Sequence, residues 1–145
     1  MTMSEWVSRS YARTSTVGIR VPADLGQLTM LRALAETVAL IADFALDEVT
    51  DIRVALDEVS TALIAAAVPE SVLDCEFGID GDRMTVRVNV LAEIDDPLDE
   101  NGFGWHVVRT ITDGISSHTE PFDGLRGGYP TIVEFGRARG DIDGG

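Results

Sequence analysis

The residues with the most chemical potential lie in the stretch Ile52 to Ala67, IRVALDEVSTALIAAA. Asp57 and Glu58 are adjacent carboxylates in a segment otherwise largely apolar or small. A carboxylate held beside a reacting hydroxyl can accept its proton. Around the pair, Ile52, Leu56, Val59, Leu63 and Ala66 recur at helical spacing, with Ala55 and Ala62 filling in. The carboxylates of such a helix either face solvent behind a core stripe or look into a polar cleft, and Glu58 is open to both readings.

Other groups suggest less chemistry. Gly102 and Gly104 precede a helical pattern, so the backbone N–H groups there are candidates to cradle an anion; a glycine-assisted turn explains them equally well. His106 and His118 lack the spaced Cys, His or acidic partners of a metal site, and no catalytic triad is visible. Cys75 alternates in phase with Leu73 and Phe77, which reads as a small buried hydrophobe. A single cysteine also excludes an internal disulfide framework.

The elements that must position these groups follow from periodicity. Val17, Ile19 and Val21 alternate in a first strand that Pro22 stops. Leu25 to Phe44 has a helical stripe through Leu28, Leu31, Leu34, Ala35, Val38, Ile41 and Ala42, with Asp24 as N-cap. A second helix is expected from about Glu48 to Ala67. Leu73–Ile79 and Met84–Val90 alternate around Asp80-Gly81-Asp82 and form a β-hairpin. The acidic loop DDPLDEN, residues 95–101, leads to a third helix over Trp105–Ile115, on Val107, Val108, Ile111 and Ile115. A short strand over Ser117–Phe122 and a last one over Tyr129–Arg137 complete the chain. This order predicts an α+β fold, a two-layer α/β sandwich with a mixed, mostly antiparallel sheet covered on one face by three helices. Residues 1–15 read as a flexible arm, 16–137 as the domain and 138–145 as a disordered tail.

Composition narrows the function classes. The 145 residues carry a net charge of −14, with eleven arginines and no lysine. A field of that sign repels phosphate backbones, so direct nucleic-acid binding is not expected, and a basic or mixed-charge protein partner suits it better. No apolar run is long enough to cross a membrane, and the first eighteen residues have no signal-peptide core; a cytoplasmic location is expected.

Strand, two long helices, hairpin, glycine-bearing loop and helix is the order of the GHKL ATPase (Bergerat, histidine-kinase ATPase-like) fold. Within it, ALDEVSTALIAAA resembles the second-helix motif of anti-sigma-factor serine kinases of the RsbW/SpoIIAB type. GFGWHVVRTITDGI resembles their second glycine box. The resemblance spans about Val17 to Arg137. It implies that Glu58 is the candidate general base toward a serine hydroxyl, that Gly102 and Gly104 are nucleotide-binding, and that the cofactor is MgATP. It also implies a sigma factor and a STAS-type anti-anti-sigma factor as partners, and a homodimer through the edge strand Val17–Val21.

Three features depart from that pattern. Ala62 occupies the position of the family's magnesium-holding Asn, and a methyl group cannot coordinate a hard cation, so no metal ligand is assigned. Val90 stands about where the adenine-binding Asp belongs, and Asp95-Asp96 run into Pro97 without a D-x-G-x-G pattern. The ATP lid is only a few residues long. The expected function is therefore an anti-sigma factor acting by sequestration, with a degenerate ATP site, weak or absent kinase activity and no required cofactor. The alternative is an active serine kinase that phosphorylates the anti-anti-sigma factor.

Overall fold

A computed structural model describes residues 15–140. Helices and sheet form two layers, with the core between them. Strand β1 (Ser15–Pro22) is followed by a 3-10 turn, Leu25–Gln27, which Asp24 caps by accepting from the Gly26 N–H at 3.2 Å. Helices α1 (Leu28–Ile41) and α2 (Leu46–Ala66) come next. Strands β2 (Val72–Asp80) and β3 (Arg83–Ala92), helix α3 (Phe103–Ile111), and strands β4 (Gly114–Thr119) and β5 (Tyr129–Ala138) complete the order. The five strands lie in the order β1-β2-β3-β5-β4. The α+β sandwich is the architecture expected; every strand pairing in it is antiparallel, where a mixed sheet was anticipated.

Alternation sorts the strands into an inner and an outer face. Leu73, Cys75 and Phe77 of β2, Met84, Val86 and Val88 of β3, and Val133 and Phe135 of β5 are buried against the helices. Against them pack Leu31, Ala35 and Val38 of α1, Ile52, Leu56, Val59 and Leu63 of α2, and Val108 of α3. The outer face is polar, with Arg20 paired to Asp74 and Arg87 to Glu134 across neighbouring strands. The hairpin turns on Gly81 at φ 63°, a left-handed conformation that costs glycine little.

Several boundaries differ from the sequence reading: the helices begin at Leu28, Leu46 and Phe103 instead of Leu25, Glu48 and Trp105, and larger differences lie at the ends of the first and third helices and in β4. The first long helix ends at Ile41, not Phe44. Asp43 sits at φ 65°, its N–H donates to Leu40 O, and the Phe44 N–H reaches back to Ala39 O. These are the two bonds of a Schellman cap, with Phe44 buried as its hydrophobic closure; an Asp in place of the usual Gly hid the stop. The third helix ends at Ile111, and Ile115 belongs to β4, opposite Phe135. Four-residue spacing made Ile115 look helical, but Thr112 closes the helix with its hydroxyl on Val108 O, and the Asp113 N–H turns to Gly136 O. Consequently β4 spans Gly114–Thr119, not Ser117–Phe122, and Phe122 lies in the following loop, edge-on to Tyr129 at 5.4 Å.

Ser15 opens β1 and Ala138 ends β5, one residue outside each expected domain boundary. Arg139 and Gly140 continue the ordered backbone, bonding Asp82 O and the Glu48 carboxylate. The remainder of the arm and tail expected from the sequence lies outside the described residues.

Candidate functional site

The α2 helix turns about 100° per residue, so neighbouring carboxylates diverge. Asp57 points to α1, where both its oxygens accept from Arg32 Nε, at 2.8 and 2.9 Å. That hydrogen bond, with the attached charge attraction, raises the Arg32 guanidinium above its already high ordinary pKa. Glu58 points the other way, into an open cleft of about 200 Å³. Ala62, four positions on from Glu58, shares its wall, as does Val59, three positions before Ala62.

The facing wall comes from the loop before α3 and the first two turns of that helix. Leu98, Asp99, Gly102, Gly104, Trp105 and Val108 contribute, and Ile115 and Val133 form the base. Gly102 is the N-cap residue, with no side chain to satisfy the helix N–H groups. Both glycines lie close to a carboxylate. A Cβ at Gly104 would lie 2.6 Å from Glu58 Oε2, and one at Gly102 would lie 3.0 Å from an Asp99 carboxylate oxygen. The two α3 glycines therefore accommodate protein carboxylates.

Glu58, Gly102, Gly104 and Ala62 are thus brought into one cleft. Asp99, Leu98 and Trp105 join them without having been singled out; Asp99 was read only as part of an acidic loop. Val90 is buried in the core, while Asp95 and Asp96 are exposed. Asn89 is on β3 opposite Asp74, and Asn101 is exposed in the loop, so neither supplies an amide to the cleft wall. His106 and His118 are both exposed and outside the cleft. Among the described residues no group of three or more His, Cys, Asp or Glu side chains could hold a metal ion. As to MgATP, the lining has one amide-free carboxylate pair, a methyl group at position 62 and no cationic side chain. Such a lining fits a triphosphate poorly, since two anions flank the helix N-terminus that would receive it.

Charge pairing elsewhere emphasises the cleft's character. Arg20, Arg32, Arg53, Arg83, Arg87 and Arg137 each hold a carboxylate on other parts of the surface. Glu58 has no ion pair or hydrogen bond among the described residues, and Asp99 uses one oxygen only for the Asn101 N–H at 3.0 Å.

No family model matches the chain. Among curated proteins, the anti-sigma-F factor RsbW from each of two strains of Mycobacterium tuberculosis is 31% identical to it over 101 residues. The chain is similar in sequence to these RsbW anti-sigma factors over part of their length. The match takes in 70% of this chain and spans 60% of the length of each RsbW relative. A chain in the crystal structure of the SiaB–SiaC complex from Pseudomonas aeruginosa superimposes with a TM-score of 0.68, over 94% of this chain and 98% of that one. At 10% identity that likeness carries the fold alone. No helix among the described residues is long and apolar enough to cross a membrane.

Proposed function

We propose that this chain is an anti-sigma factor: it sequesters an alternative, stress-type sigma factor in the cytoplasm and is released by a STAS-type anti-anti-sigma protein. The observation that carries the reading is the 31% identity to the anti-sigma-F factor RsbW over 101 residues. Sequestration requires a complementary surface and no chemistry, so it is compatible with a cleft in which Ala62 replaces a magnesium-holding amide. A homodimer through β1 is part of the reading. Among the described residues that strand is a sheet edge, paired to β2 alone, and Val17 is 42% exposed on it.

The second reading, an ATP-dependent serine kinase acting on the anti-anti-sigma protein, is favoured by one feature: Glu58 faces the glycines that open α3. Calorimetric titration with MgATP separates the two, followed by phosphate transfer to a STAS-type protein with Glu58→Ala as control. The expected result is no MgATP binding below millimolar concentration and no transfer. Micromolar binding with Glu58-dependent transfer would establish the kinase instead. Co-purification from the source cells without any sigma-type partner would defeat the sequestration reading.

A further inference from the structure

The geometry points to the α2–α3 cleft as a receptor for an arginine side chain presented by a protein partner. This rests on the reading of the chain as a partner-binding regulator, and it names the chemistry of one point of contact.

Size, lining and charge each contribute to the argument. Pockets for small molecules and cofactors run from about 300 to 1,000 Å³. At about 200 Å³ this cleft suits a side chain better than a nucleotide. Its walls are mainly apolar, from Val59, Leu98, Val108, Ile115 and Val133, with Trp105 as the aromatic member. Its ionisable groups are Glu58 and Asp99, and neither is neutralised by a cation of the described chain. An apolar stem ending in a planar cation matches such a lining. The methylenes pack on aliphatic walls, the guanidinium sits beside an indole, and carboxylates accept its N–H groups in pairs. Lysine offers a compact, strongly hydrated charge that fits an aromatic, carboxylate-flanked slot less well. A phosphate or carboxylate ligand would meet two like charges. The chain's overall charge of −14 draws a basic segment toward the site from a distance.

The test uses the full chain carrying Trp6→Phe, so that Trp105 fluorescence alone reports. The probes are capped tripeptides, acetyl-Gly-X-Gly-amide, in which X is arginine, citrulline or lysine, with free L-arginine as a further arm. The arginine peptide is expected to give a saturable change, and the citrulline peptide, which has the shape without the charge, none. Free L-arginine, whose own carboxylate would enter the acidic slot, should bind more weakly than the peptide. Glu58→Gln with Asp99→Asn should weaken the arginine peptide by about tenfold or more. Ala62→Leu, which fills the cleft and leaves both carboxylates, should weaken it similarly. Unchanged binding in Ala62→Leu would overturn the proposal in favour of diffuse attraction to acidic surface. Equal response to arginine and citrulline would also overturn it, as would quenching by MgATP in the absence of any arginine response. Circular dichroism of each variant confirms folding. Retention of a sigma-type partner by Glu58→Gln/Asp99→Asn at full affinity would sink this inference and leave the anti-sigma reading standing. Arginine-peptide binding without any sigma-type partner would do the reverse.

Discussion

At the scale of single residues, most buried polar groups are satisfied, and the exceptions are informative. Ser60 is fully buried on α2, and its Oγ has no hydrogen-bond partner. A hydroxyl removed from water without compensation costs about 1–3 kcal/mol. Ser60→Ala also improves helix propensity, so it should raise stability by about 1 kcal/mol, measured as a higher urea midpoint at unchanged m. Cys75 illustrates burial acting on a titrating group. Loss of solvent, with the neighbouring Glu76 charge adding to it, pushes its thiol up to about 12 from an ordinary 9.0. Because the folded pKa is the higher one, the stabilisation is fully present below the unfolded thiol's pKa. It is lost as pH rises from there toward 12. Wild type should therefore lose up to roughly 1.4 kcal/mol per pH unit above that point relative to Cys75→Ala, whose own cavity penalty is independent of pH. Denaturation of both proteins at pH 8 and pH 10.5 checks this.

At the scale of elements, the start of α2 is bound to the end of β5 by one buried acid. Glu48 is only 6% exposed. One oxygen accepts from the Ala45 N–H at 2.7 Å, which is half of a capping box, since alanine has no oxygen to return the bond. The other accepts from the Gly140 N–H. Arg137 lies near it and pairs with Asp51 at 3.3 Å, while Arg139 donates to Ala42 O at 3.0 Å. The α1–α2 connection is thus fastened to the last strand by polar bonds. Glu48→Ala removes the acceptor for two backbone donors and part of the surroundings of a half-buried cation. It should cost about 1–3 kcal/mol, with Glu48→Gln recovering part of the loss. Chemical denaturation of the two variants measures the difference.

At the scale of the whole molecule, one sheet face is covered and the other is a grid of charge. The exposed ion pairs on that face, Arg20 with Asp74 and Arg87 with Glu134, contribute about 0–1 kcal/mol each. They do more to keep the face solvated than to hold the fold. The β1 edge has unpaired backbone groups and the exposed Val17, and supports the proposed dimer. Val17→Lys places a hydrated charge on that edge and should leave the monomer's stability within about 0.5 kcal/mol. Sedimentation should then show wild type as a dimer and Val17→Lys shifted toward monomer. A wild type that sediments as a monomer at high concentration excludes the edge-to-edge assembly.

The sequence by itself determined the alternating strands, the amphipathic helices and the burial of Cys75 beside Leu73 and Phe77. Those follow from local periodicity, and the apolar residues concerned can be buried only in one way. It also linked Glu58, Ala62, Gly102 and Gly104 to a single site, through a motif resemblance. Helix ends were less legible, because the stop at Asp43 depends on a left-handed residue closing over Phe44. Likewise, Ile115 joins β4 because β5 is there to pair with it. Only the tertiary structure decided that Asp57 belongs to Arg32 while Glu58 belongs to the cleft, and that Asp99 and Trp105 complete that cleft. The physical reason is that a cleft is made by the approach of elements distant in the chain. Which charges remain unpaired within it depends on where every arginine has found its carboxylate.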